Sequence, residues 1–290
     1  MLRQVALVST TKNVSLGEAT RVAAALQKQV SGDLAPAWEC DACISAFPSL
    51  REVPVGYWPM LVTDDIHEPG AAGMHLDGQG RPYCLIEFGP SWSLAASHEC
   101  IEMLVDPSGN RQVAGPSPMP GQGEVSFLVE ICDPCQDAQF GYTIDGLLVS
   151  DFCTPGFFDH NAASARCSFT GAVKAPLQTL KNGYLSWFDP CSRGWYQQQH
   201  FGAAPKFIAL GAPHPGYRCL REFTNGAEAD HRRLSHVSAA APAVIRALQR
   251  LRAHQAASVA SADALEAEIR ALTQRLGALS FRARRRPAVS

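Results

Sequence analysis

The sequence predicts an α/β (α+β) fold, a mixed sheet that leads into a helix carrying acidic residues, with a helical segment towards the C-terminus. Three observations carry this. In the first hundred residues, short apolar runs such as Gln4–Ser9 and Trp58–Thr63 surround one clear helical period. A second helical period follows, in which Leu94, Ile101, Leu104 and Val105 recur in register until Pro107 stops it. After about Ser238 the composition shifts to Ala, Leu, Arg and Glu.

Taken in order, QVALVS (Gln4–Ser9) is a strand, and Val22, Ala23, Leu26 and Val30 mark a helix over residues 16–30. Ala42–Phe47 and Trp58–Thr63 read as strands, the latter ending in the acidic turn Asp64-Asp65. Residues 70–75 lead through the Asp77-Gly78 turn to a strand over Pro82–Phe88, which Gly89-Pro90 breaks. The second helix follows. Asn110–Gly123, rich in Gly, Pro, Ser and Gln, reads as a loop. The apolar run in Val125–Asp137 resembles a strand that delivers Glu130 and Asp133. Asp145-Gly146, between Tyr142–Ile144 and Leu147–Ser150, is a hairpin signal. Residues 160–235 are aromatic- and glycine-rich, with short strand candidates such as Phe207–Leu210.

The expected organisation is one domain over residues 1–237, a helical extension over 238–281 and a basic disordered tail over 282–290. In the extension Pro242 opens a helix with Val244, Ile245, Leu248 and Leu251. A second helix starts at a capping-box-like Asp263 and Glu266. Its Leu265, Ile269, Leu272, Leu276 and Leu279 alternate spacings of four and three, as in a coiled-coil seam. Self-association through these helices and packing on their own domain are equally weighted.

A chain of 290 residues, 46% hydrophobic and 18% charged, can bury a substantial core. Its net charge of −2 speaks against general nucleic-acid binding. No stretch approaches a membrane span, and the first apolar run is too short for a secretion signal, so the expected location is cytoplasmic. Ten cysteines include two C-x-x-C pairs, Cys40/Cys43 and Cys132/Cys135, nearly 90 residues apart. Reduced, mostly buried thiols are the expectation over a structural zinc site.

The chemistry concentrates in Ser97-His98-Glu99-Cys100-Ile101-Glu102-Met103-Leu104-Val105-Asp106-Pro107. His98 and Glu102 are four apart on a helix, so they share a face and can reach one ion. Glu99, beside His98, stands where a general base lies in H-E-x-x-H metal hydrolases, with Glu102 in place of the second histidine. Asp106 lies eight residues beyond His98, about 12 Å along a continuous helix. It can meet the same ion only if the chain turns back before Pro107.

These motifs resemble the zincin-type metallopeptidases, in a divergent form with H-E-x-x-E-x-x-x-D-P followed by E-I-x-D-x-C. Here they read His98 through Pro107 and then Glu130-Ile131-Cys132-Asp133-Pro134-Cys135. The likeness covers roughly residues 1–160 and implies a zincin-like mixed sheet with an active-site helix. It implies Zn2+, with Mn2+ or Ca2+ as options because carboxylates enrich the ligand set in oxygen. Glu130 is then the first choice for the third ligand, with Asp106 and Asp133 behind it. The implied activity is hydrolysis of a peptide or other amide, with Glu99 as general base. Tyr142, His160 and His75 are the candidate oxyanion donors, and the strand at Pro82–Phe88 is a candidate for pairing with an extended peptide or protein substrate. The alternative is a catalytically inactive zincin-like binding or assembly protein that works through its C-terminal helices.

Overall fold

The computed structural model describes residues 2–66, 68, 70–77, 81–159, 166–213, 217 and 219–225. The described residues other than Pro54–Gly56 fall in one compact unit. The helical extension expected over 238–281, the tail over 282–290, and His160 lie outside the described residues.

The fold is mixed α+β. Strand β1 (Arg3–Ser9) has Val5, Ala6, Leu7 and Val8 almost wholly buried, the continuous apolar run of an inner parallel strand. Helix α1 (Leu16–Lys28) begins where the Ser15 hydroxyl accepts from the Glu18 N–H, and it buries Val22, Ala23 and Leu26. A wider π-type turn (Gln29–Leu34) and a short helix α2 (Ala35–Trp38) extend it. Glu39, in the left-handed region at φ 54°, then ends the helical run.

Strand β2 (Ala42–Phe47) pairs parallel with β1 on one side, and β3 (Trp58–Thr63) pairs parallel on the other. Next come β4 (Gly73–Asp77) and β5 (Pro82–Glu87), with β5 parallel to β3 and β4 antiparallel to β5. The order is β2-β1-β3-β5-β4, so β5 is an inner strand and β4 an edge. This corrects the sequence reading twice. Residues 73–77 are a strand rather than a lead-in to one, because His75 is buried towards polar groups and breaks the apolar alternation. Both edges of β5 are already filled, by β3 and β4, so Pro82–Phe88 has no free edge for an added peptide strand.

Helix α3 (Trp92–Val105) follows and packs on β4 and β5. Beyond it, β6 (Gln112–Pro116) and β7 (Glu124–Leu128) open a second, antiparallel sheet. The hairpin β8 (Tyr142–Ile144) and β9 (Leu147–Val149) turns through Asp145 and Gly146, both at positive φ, as an Asp-Gly hairpin turn requires. Strands β10 (Tyr184–Asp189), β11 (Gly194–Gln199) and β12 (Lys206–Gly211) complete the second sheet in the order β12-β11-β10-β7-β6.

Residues 112–116, expected as loop, are therefore an edge strand whose ladder with β7 outweighs their Gly and Pro content. The strand expected over Val125–Asp137 stops at Leu128, so Glu130 follows it in non-strand backbone and Asp133 opens a single 3₁₀ turn. One apolar cluster runs from β1 through Met103 and Ile101 of α3 to Phe127, Phe152 and Trp187, which joins both sheets.

Candidate metal centre

Helix α3 is buried along most of its length, and its sides differ in chemistry. Cys100, Ile101, Met103 and Leu104 enter the apolar core. Ser97 is polar and paired: its hydroxyl donates to Gln29 Oε1 at 2.7 Å and accepts from the Ser150 N–H at 2.8 Å. This ties the helix to the π-type turn after α1 and to the residue that follows β9. His98, Glu99 and Glu102 form the third side, and they meet Asp133, Glu130, His75 and Arg221.

His98 stands between two carboxylates at distances that could hold an ion. His98 Nε2 lies 3.2 Å from Glu102 Oε2 and 3.3 Å from Asp133 Oδ1. The other Asp133 oxygen, Oδ2, is buried without a hydrogen-bond partner. A single Nε2–H cannot serve two carboxylates well, whereas an ion between them serves all three. Zinc bonds of about 2.0–2.2 Å in a tetrahedron give ligand–ligand edges of roughly 3.3–3.6 Å, close to the spacings seen. Glu102 is fixed from behind, since its Oε1 accepts the Cys132 N–H at 2.8 Å. Asp133 is fixed too. The Leu180 N–H donates to the Pro134 carbonyl at 2.8 Å, and Gly183 passes so close to the Pro134 backbone that a side chain there would collide.

A second group of ligand-type atoms lies alongside. His75 Nδ1, on β4, is 3.4 Å from Glu99 Oε2 and 3.8 Å from Glu102 Oε2. This group already holds a cation. Arg221, in helical residues 220–225, places Nη2 at 2.7 Å from Glu99 Oε2 and 3.4 Å from Glu102 Oε2, and Nε at 2.6 Å from Glu130 Oε2. Its Nη1 donates to the His75 carbonyl at 2.7 Å.

Charge follows from these contacts. Burial favours the neutral form of His98, but the adjacent Glu102 and the bond to Asp133 outweigh it and hold the imidazole well above its usual range. Burial also opposes ionisation of Glu99, yet Arg221 and His75 hold its carboxyl below the usual value. Glu102 is likewise depressed, against burial, by His98 and Arg221. Burial and Glu102 push Asp133 up to about 6, and burial with Glu102 pushes Glu130 well above the carboxylate range. Four buried acids thus face Arg221 and His98, a set that holds all its charges only if further positive charge is supplied.

The residues expected from sequence are distributed as follows. His98, Glu102 and Asp133 converge, with Glu99 adjacent across Glu102. Glu130, the first choice for third ligand, is instead engaged by Arg221 through Oε2, although its Oε1 is buried without a partner. Asp106 leaves the helix at φ −129° before Pro107, and its carboxylate takes the Arg111 N–H at 2.8 Å and the Ser108 hydroxyl at 3.3 Å. The Tyr142 hydroxyl donates to Asp33 at 2.7 Å and accepts from Gln29 Nε2 at 3.2 Å, so it is bound to the first helical layer rather than to these acids. No cysteine joins either ligand group among the described residues.

Comparison with protein-family models, with curated proteins and with solved structures returned no match. Arg221 is the principal residue that sequence reasoning missed. Nothing local in the sequence distinguishes Arg221 among 25 lysines and arginines.

Proposed function

We propose that the chain is a zinc-dependent hydrolase of peptide or other amide bonds, a divergent zincin-type metallopeptidase whose ion is held by His98, Glu102 and Asp133. The observation that carries this reading is the convergence of these three side chains at ligand spacing, with Asp133 Oδ2 buried and unpartnered. A nitrogen donor and three protein ligands suit zinc with an open position better than calcium, which takes six to eight oxygens. The sheet supports the likeness: three parallel pairings and one antiparallel edge strand precede the motif helix.

A bound zinc ion supplies Lewis acidity and lowers the pKa of its water. Binding requires His98 to release its proton, so occupancy rises with pH. Glu99 is ionised at neutral pH and lies next to the ligand Glu102, which suits it to accept a proton and pass it to a leaving amine. No helix among the described residues is long and apolar enough to cross a membrane. Free thiols in both C-x-x-C pairs, Cys40/Cys43 and Cys132/Cys135, suit a reducing compartment, and we place the protein in the cytoplasm.

One observation favours the alternative of a zincin-shaped binding or assembly protein: Glu99 is buried and already bonded to Arg221. Hydrolysis of a mixed peptide library separates the two readings. The enzyme reading expects cleavage that chelation removes and zinc restores, and that Glu99→Gln reduces by about 10²–10⁴-fold. Metal uptake without any cleavage leaves the binding protein.

A further inference from the structure

The pocket formed by His75, Glu99, Glu102 and Glu130 has the composition of a cation site, yet its occupant belongs to the chain. His75 Nδ1 and Glu130 Oε1 are buried and without hydrogen-bond partners, and both residues line this pocket. The Arg221 guanidinium fills it, reaching Glu130, Glu99, Glu102 and the His75 carbonyl through three of its nitrogens. The arginine is delivered firmly. Its N–H donates to the Gly109 carbonyl at 3.0 Å, the Leu220 N–H donates to Asn110 Oδ1 at 2.9 Å, and Phe223 packs with Trp195 and Leu128.

We propose that this is a second cation site, filled by the protein's own Arg221, and that Arg221 is a positioning residue that draws Glu99 away from the neighbouring ion. Glu102 Oε2 is common to both ligand groups, so the two sites share a wall. With Arg221 in place, one site is left for a metal and Glu99 is held as a separate carboxylate. Without it, the pocket accepts a small exogenous cation, either guanidinium or a second divalent ion. The Glu99 role rests on the proposed function; the cation pocket does not.

The test compares thermal unfolding of Arg221→Ala with that of wild type, with guanidinium chloride added at concentrations far below denaturing and sodium chloride at equal ionic strength as control. The expected result is a lowered melting temperature in Arg221→Ala that guanidinium raises selectively, with no comparable rise in wild type. Equal responses of variant and wild type to every salt overturn the proposal. Should Arg221→Ala fail to fold, Arg221→Lys and Arg221→Met decide: retained charge predicts that the lysine variant melts higher, and the reverse order overturns it. If wild type binds no metal while guanidinium still rescues Arg221→Ala, the hydrolase reading fails and the cation pocket stands.

Discussion

Gly73 on the edge strand β4 lies against the side chain of Glu99, and a single methyl group there probes how rigidly Glu99 is held. A Cβ at position 73 falls 2.7 Å from Glu99 Cγ, 3.1 Å from Oε1 and 3.3 Å from Cδ. The obstructing Cγ lies near the root of the side chain, and the carboxylate beyond it is pinned by Arg221 at 2.7 Å. Glu99 therefore cannot swing aside without giving up a buried ion pair. Overpacking of this kind costs about 1–3 kcal/mol, while alanine in place of strand glycine returns about 0.5–1 kcal/mol. Gly73→Ala is thus expected to destabilise by about 1–2 kcal/mol in urea unfolding at fixed metal concentration. Glu99→Ala removes all three obstructing atoms, so in that background Gly73→Ala is expected to become neutral or slightly stabilising. The double-mutant cycle reads the difference directly. A cost that is equal in both backgrounds, or no cost in wild type, refutes the description of Glu99 as fixed against β4.

Three further outcomes follow. Asp133→Asn is expected to weaken zinc binding at least tenfold, and Glu130→Gln much less, in competition titrations with a chromogenic chelator; the reverse order assigns the third ligand to Glu130. Ser97→Ala leaves Gln29 Oε1 and the buried Ser150 N–H each without the serine partner, and is expected to cost about 1–3 kcal/mol in the same unfolding assay. Burial pushes the Cys40 thiol up to about 11, so its reactive thiolate is scarce at pH 8 and gains about tenfold per pH unit towards that value. Alkylation mapped by mass spectrometry should label the exposed Cys191 at pH 8 and Cys40 efficiently only in strongly alkaline solution.

Much of the first sheet was legible because its strands are apolar, short and bounded by turn residues. Ala42–Phe47 and Trp58–Thr63 match the observed strands residue for residue. The helix was legible for the same reason, and the four-residue spacing of His98 and Glu102 carried their shared face. What escaped depends on long-range pairing. Strand β4 is short, and its inward residues Gly73 and His75 serve the acids of α3 instead of an apolar core, so no alternation marks it. Strand β6 exists because β7 pairs with it, which no local pattern announces. Asp133 meets His98, and Glu130 meets Arg221, because the chain leaves the strand at Leu128 and turns, whereas the sequence reading carried one strand through both. Arg221 arrives from 119 residues beyond Glu102, in a segment whose sequence gave no order.

The most direct test of the central claim is metal content by elemental mass spectrometry on purified wild type, Glu99→Gln, His98→Ala and Asp133→Ala. The account predicts a stoichiometric zinc ion in wild type and Glu99→Gln, and its loss from His98→Ala and Asp133→Ala with the fold retained by circular dichroism. No metal in wild type, and none taken up when zinc or manganese is supplied, contradicts it.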